Sequence, residues 1–170
     1  MLTGIILAGG KSTRMGEDKA ALFDNVSRLS KELKLAGCDN IIVMCGDESR
    51  INLFDEDCVV DRGFCLAESL RFVLSSLTGE IQLAPCDAYL ADCELFERIA
   101  GVPVDQNGFR QPLLSRFMLP FEGVESNKLT DMFSHLPSCE GGLKASNANT
   151  PEELDDLLNS VIPIIDNVDL

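Results

Sequence analysis

The sequence predicts an α/β fold: a three-layer sandwich on a mainly parallel sheet, with one hairpin insertion. Short apolar runs of strand length alternate with amphipathic stretches of helical period through the first hundred residues, the pattern of parallel strands joined by crossover helices. The strand runs are almost continuously apolar, as strands buried on both faces are. The alternation then gives way to "VPVDQNGFRQPLLSRF", where Asn107-Gly108 marks a tight turn between two strand-like runs.

Thr3 to Ala8 is the first buried strand. Ser27 to Ala36 reads as a helix, with Ser27 as cap, Leu29, Leu33 and Leu35 on the apolar face and Gly37 at the end. "NIIVMC" from Asn40 to Cys45 is a second strand, and "DCVV" from Asp57 to Val60 a shorter one ending at Asp61. A helix over Leu66 to Leu77 is closed by Gly79, and "EIQLA" from Glu80 is a strand running into Pro85-Cys86-Asp87. Asp92 caps a helix reaching Ile99, and another helix spans about Lys128 to His135. In "NTPEEL", Thr150 suits the N-cap and Pro151 the first turn, where Glu152 and Glu153 favour the positive helix end. The tail from Val161 to Leu170 mixes apolar residues with Asp and Pro163, and either docks or frays. With no repeat or linker, 170 residues suit one domain, 1–170.

Composition narrows the function classes. A net charge of -14 disfavours nucleic acid, whose phosphates would be repelled over most of the surface. Residues 1–34 nevertheless hold six Lys/Arg against four Asp/Glu, so an anionic ligand is drawn to the N-terminal segment. No apolar run approaches the ~20 residues of a membrane span, and Lys11 and Arg14 follow the first run too closely for a signal peptide. The chain reads as cytoplasmic. Seven cysteines form no C-x-x-C pair, which argues against a disulfide framework or zinc ribbon and for thiols used as small hydrophobes. His135 is the only histidine, which leaves no basis for a histidine triad.

The chemistry-bearing stretch is "LAGGKSTRMGEDK". After a buried strand, Gly9 and Gly10 let the chain turn and bring backbone N–H groups close to a ligand. Lys11, Arg14 and Lys19 can surround a triphosphate, and Ser12 and Thr13 add hydroxyl donors. The spacing is neither G-x-G-x-x-G nor the P-loop pattern.

This stretch closely resembles the signature L-A-G-G-x-S-x-R-M-G-x-D-K of the nucleoside-triphosphate transferase family that includes the molybdenum cofactor guanylyltransferases. The likeness extends, in order, to "VVD" ending at Asp61, "LAPCDAYL" around Asp87, "QPLLSRF" from Gln111 and "NANTPEEL" from Asn147. It implies a Rossmann-like fold of the nucleotide-diphospho-sugar transferase kind. It also implies transfer of GMP from GTP to the terminal phosphate of molybdopterin cofactor, with Mg²⁺ as cofactor and pyrophosphate released. By matching position, Leu7, Ala8, Gly9 and Gly10 would hold the nucleotide through backbone groups and Lys19 would contact its phosphates. Asp61 would lie near the guanine nucleotide and Asp87 would bind Mg²⁺. Arg14, Lys19 and Asp87 would form the catalytic set.

Related cytidylyltransferases tend to carry a His-Pro pair and a D-x-D-T-P motif, where this chain has Gln111-Pro112 and Asn147-Ala148-Asn149-Thr150-Pro151. Asn147 and Asn149 suit hydrogen bonding to a pterin or phosphate, or else an Asx-type turn before the helix. The chain departs from the family after Asp61, where "RGFCLAESL" replaces a G-P-L-A-G loop, and after Asp24, where the usual turn is trimmed. A transferase using another nucleotide or acceptor, and a non-catalytic nucleotide-binding module, are the alternatives. Transient contacts with cofactor-biosynthetic or acceptor proteins complete the expected partners.

Overall fold

The computed structural model describes residues 1–9, 19–120, 122–148 and 151–165, without the side chains of 19–23, 151 and 161–165. Its centre is a five-stranded sheet. The strands are β1 (Leu2–Leu7), β2 (Asn40–Gly46), β3 (Asp57–Val60), β4 (Glu80–Pro85) and β6 (Arg116–Met118), in the spatial order β3-β2-β1-β4-β6. The first four are parallel, while β6 runs antiparallel to β4. β5 (Val102–Asp105) and β7 (Ser138–Gly142) form a separate parallel pair. β1 lies in the middle and all six of its residues are buried, which is why it reads as a continuous apolar run.

Alternate residues of each strand feed opposite cores. On one face Ile6, Ala8, Val43, Cys45 and Ala84 pack with Val26, Leu29 and Leu33 of α1 (Lys19–Leu35) and with Leu95 and Phe96 of α3 (Cys93–Arg98). On the other, Ile5, Leu7, Met44, Ile81 and Leu83 meet Leu70 and Val73 of α2 (Leu66–Leu74), and Met132 and Phe133 at the end of α4 (Leu129–Met132). The result is the predicted three-layer α/β sandwich. Leu29 and Leu33 are fully buried, so truncating either to Ala is expected to destabilise by about 2–5 kcal/mol.

Several elements depart from the sequence reading. The first helix begins at Lys19, not Ser27, and Ser27 sits inside it. The run "KAAL" at its start is composed of good helix formers, and the polar Asn25 is held within the helix by a tertiary hydrogen bond. The second helix ends at Leu74 rather than Leu77. The Ser75 and Ser76 hydroxyls donate to the carbonyls of Phe72 and Val73, and such side-chain bonding competes with continued helix. The 128–135 helix contracts to Leu129–Met132, leaving His135 exposed in the turn beyond.

Asp92 caps α3 as expected, accepting from the Leu95 N–H. The Asn107-Gly108 turn also forms. Asp105 Oδ1 accepts from the N–H groups of Asn107 and Phe109, and Val104 bridges Arg110. The chain then leaves through a 3₁₀ turn at Pro112–Leu114, and its next strand, β6, joins the edge of the main sheet. The last helix, α5 (Pro151–Ile165), starts at Pro151 and continues past Val161. Thr150, its expected cap, lies outside the described residues.

β7 was not anticipated: "SCEGG" carries no strand signature, and its pairing with β5 supplies the structure. All seven cysteines are free thiols; Cys38 and Cys45 are buried and the rest half-buried. Burial pushes Cys86 up to about 12 and Cys38 and Cys58 to about 11, so these thiols stay protonated at neutral pH.

Candidate active site

The parallel strands place four functional positions along one edge of the sheet. Gly9 follows β1, Gly46 ends β2, Asp61 follows β3 and Asp87 follows β4. This is the carboxyl edge, where open α/β sheets bind ligands.

Gly9 and Gly46 pack backbone to backbone. A Cβ on Gly9 would lie 3.0 Å from both Cα and N of Gly46 and would overlap Asp61 Oδ2. Gly46 has φ +91°, a conformation L side chains rarely adopt. Asp61 closes this corner: its N–H donates to the Gly46 carbonyl at 2.8 Å, and Oδ1 accepts from the Gly46 N–H at 3.3 Å. Burial pushes the Asp61 carboxyl above its ordinary range, opposed by the Gly46 hydrogen bond and the Arg50 charge. Gly46 escaped the sequence reading, although a glycine at the end of a buried strand was the available signal.

Leu7 and Ala8 knit the edge together. The Leu7 carbonyl accepts from the Cys86 N–H and the Ala8 N–H donates to the Met44 carbonyl. Asp87 therefore hangs from a segment tied directly to β1. Its Oδ1 is buried and has no hydrogen-bond partner, and burial raises its carboxyl above the usual range. An ionised oxygen left this way favours an incoming cation. Among the described residues no three His, Cys, Asp or Glu side chains converge as a metal group, so a cation at Asp87 would draw its other oxygens from ligand and water.

The loop after Asp61 is internally bonded. The Gly63 N–H donates to Ser69 Oγ and the Phe64 N–H to Glu68 Oε2, while Arg62 stacks 5.4 Å from the Phe72 ring centroid. Phe64 projects fully into solvent.

Two positions distant in sequence meet on the far side of the turn at 107–108. Asn147 Nδ2 donates to Gln111 Oε1 at 3.2 Å, and Gln111 Nε2 donates to Asp105 Oδ2 at 2.8 Å. They line a polar cavity of about 470 Å³ with Ser146, Asp156 and Ser160. Asn147 Oδ1 and Ser146 Oγ are buried without partners. Lys144 ties this segment to the Asp87 side of the molecule, bonding Asp92 and, at 2.7 Å, Glu94. Ala145 packs in the same cluster as Ala88 and Ala91. Gly10, Arg14 and Asn149 lie outside the described residues. Lys19 opens α1, and its side chain is likewise outside them.

A family model for the MobA-like NTP transferase domain matches residues 4–119. The chain belongs to that family. Its domain is of the nucleotidyltransferase type, and most of β1 together with Gly9, Asp61 and Asp87 falls within the matched span. No curated protein sequence matches the chain.

Among solved structures, this MobA-like domain is similar to the bifunctional IspDF from Campylobacter jejuni, with TM-score 0.68 and 16% identity over 91% of this chain and 53% of that one. It is also similar to a nucleotidyl transferase from Methanothermobacter, with TM-score 0.62 and 16% identity over 94% and 99% of the two chains. A manganese complex of Rv0371c from Mycobacterium tuberculosis H37Rv gives TM-score 0.59 and 18% identity over 93% and 97%. At these identities the likeness shows a shared fold. Among the described residues no helix is long and apolar enough to cross a membrane.

Proposed function

We propose that this protein is a Mg²⁺-dependent guanylyltransferase that moves GMP from GTP to the terminal phosphate of molybdopterin cofactor in the cytoplasm. The observation that carries the reading is Asp87, whose buried, unpartnered carboxylate oxygen stands at the carboxyl edge beside the glycine-bearing end of β1. Asp87 fits a hard cation by chemistry, supplying one carboxylate to an ion that takes phosphate oxygens and water as well. The manganese complex of the similar mycobacterial protein is consistent with such a site.

In this reaction an acceptor phosphate oxygen bonds to the α-phosphorus of GTP. The bond from that phosphorus to the α,β-bridging oxygen breaks, and pyrophosphate leaves with the electron pair. The nucleophile is already anionic, so the protein needs neither a Ser, Cys or His nucleophile nor a general base. Its work is positioning and charge compensation. Gly9 lets the triphosphate approach the backbone, and Lys19 and Arg14 offset phosphate charge. Asp87 would hold Mg²⁺, which would supply the charge neutralisation needed to bring two polyanions together on an acidic protein. Asn147 and Gln111 line the cavity that would orient the acceptor, with Asn149 two residues further on. Protein contacts would be transient, with cofactor-biosynthetic or acceptor proteins.

A second reading, transfer of another nucleotide, is favoured by one observation. The Gly63 and Phe64 N–H groups are consumed by Ser69 and Glu68, which leaves fewer backbone donors for reading a base edge. The deciding experiment measures pyrophosphate release with molybdopterin and Mg²⁺, offering GTP, CTP and ATP separately. GTP-selective release is expected. Equal use of CTP overturns the guanylyl assignment, and no release with any nucleotide overturns molybdopterin as the acceptor.

A further inference from the structure

Helix α1 does more than cover the sheet. Asn25 is buried at 5% exposure, and its Nδ2 donates to the Cys86 carbonyl at 2.6 Å, one residue before Asp87. Arg28 Nε donates to Asn25 Oδ1 at 2.7 Å, which fixes the orientation of that amide. The guanidinium continues beyond Asp87, with Nη2 donating to the Ala88 carbonyl at 2.8 Å and Nη1 to the Ala91 carbonyl at 2.6 Å. One turn further, Glu32 Oε2 accepts from the Cys93 N–H at 2.8 Å. Positions 25, 28 and 32 share one helix face, and that face grips the backbone on both sides of Asp87.

One oxygen of the Asp87 carboxylate has no such support of its own. This Oδ1 makes no hydrogen bond, so its aim is set by the backbone that carries it. Three carbonyls of that backbone, at 86, 88 and 91, end on Asn25 and Arg28. A planar guanidinium suits this task because its donors diverge in a rigid fork. The same helix begins at Lys19, the residue assigned to the triphosphate.

We infer that Asn25 and Arg28 are positioning residues that hold Asp87 in register with the phosphate-binding start of α1, so that one helix carries both the cation and the triphosphate subsites. The inference rests on the proposed reading of Asp87 as a cation ligand. The Asn25 and Arg28 donors end on backbone carbonyls before and after Asp87, and Glu32 accepts from the Cys93 N–H beyond them.

The test is Mn²⁺ uptake by the full chain in the presence of GTP, followed by the electron paramagnetic resonance signal of free Mn²⁺ and referred to a protein-free Mn²⁺–GTP blank at the same concentrations. Asn25→Ala and Arg28→Lys are compared with Asp87→Asn and with Leu33→Ala, a core truncation in the same helix. Metal-free GTP binding and thermal midpoints are measured alongside. Asn25→Ala and Arg28→Lys should weaken Mn²⁺ uptake about 10- to 100-fold, as removal of supports behind a metal ligand does, with metal-free GTP affinity within about twofold of wild type. Leu33→Ala should lower the midpoint without changing uptake. Wild-type uptake in both Asn25→Ala and Arg28→Lys overturns the positioning role, while loss in Asp87→Asn keeps the cation reading standing. Equal weakening in Leu33→Ala also overturns it, since destabilisation alone would then account for the effect. Normal uptake in Asp87→Asn overturns the cation reading and this inference together. Arg28→Lys retains the charge and stem, so it keeps the test decisive if Asn25→Ala fails to fold.

Discussion

Asp61 Oδ2 occupies the space that a Cβ on Gly9 would take. The two positions are 52 residues apart in sequence and touch because β1 and β3 flank β2. Gly9→Ala would therefore displace the carboxylate and also meet Gly46 backbone atoms at 3.0 Å, which cannot rotate away. The variant is expected to lose about 1–3 kcal/mol of stability, the usual cost of overpacking, and at least about tenfold in GTP affinity, a loss of ~1.4 kcal/mol. Chemical denaturation and a GTP titration check the two losses separately. A stable variant with wild-type GTP binding would show that the corner tolerates a side chain.

Asp87→Asn keeps the shape of the side chain and removes its charge. Part of the nucleotide affinity should survive, while Mg²⁺-dependent pyrophosphate release falls by about 10²-fold or more, the scale typical of losing one electrostatic contact to the reacting groups. Turnover measured across a Mg²⁺ series decides this. An active variant with unchanged metal dependence would remove Asp87 from the cation site.

Lys19→Ala tests the phosphate contact at the start of α1. Triphosphate binding should weaken by about tenfold or more, while the thermal midpoint stays within a few degrees, because Ala is a strong helix former. Unchanged GTP affinity by calorimetry would contradict the assignment.

Base preference is expected to depend on Asp61. An unpaired polar group at a base edge costs ~1–3 kcal/mol, so one or two such groups give a preference of roughly tenfold to several-hundredfold. Turnover with GTP and CTP in competition should favour GTP in wild type and lose that preference in Asp61→Ala. If the preference survives the substitution, the base is read elsewhere.

The Arg116–Glu80 pair, 2.9 Å from Nε to Oε1 and 2.9 Å from Nη2 to Oε2, joins β6 to β4. Its hydrogen bonds to Arg116 hold the Glu80 carboxyl below the usual carboxylate range. A depressed carboxyl stabilises the fold above its unfolded-state value, and that contribution disappears as pH falls through the folded-state value. Because the pair is partly exposed, its worth is at most about 1 kcal/mol. Glu80→Gln should lower the thermal midpoint by up to about 2–4 °C at pH 7. The gap from wild type should close as pH falls from about 5 toward 3. A gap independent of pH would assign the loss to packing.

The elements best determined by sequence alone are those whose pattern is also their environment. β1, β2 and β4 lie in the buried middle of the sheet, so continuous apolar runs announced both their state and their place. Asp92 announced its cap because capping is local. The Gly-Gly end of β1, Asp61 and Asp87 were marked as site candidates by the family signature, Asp87 also because it follows a strand, and the parallel strands bring Gly9, Asp61 and Asp87 to one edge. Tertiary structure decided the rest. Ser27 read locally as a cap, yet it lies inside α1, which begins at Lys19 and is tied at Asn25 to the Cys86 carbonyl. "SCEGG" became β7 only by pairing with β5, and "RFM" left the turn for β4. The grip of Asn25 and Arg28 on the Asp87 backbone links residues about 60 positions apart, as does the closure of Gly9 by Gly46 and Asp61 on a smaller scale. Periodicity and capping report interactions within a few residues along the chain, whereas these contacts exist only once strand order has fixed which loops are neighbours.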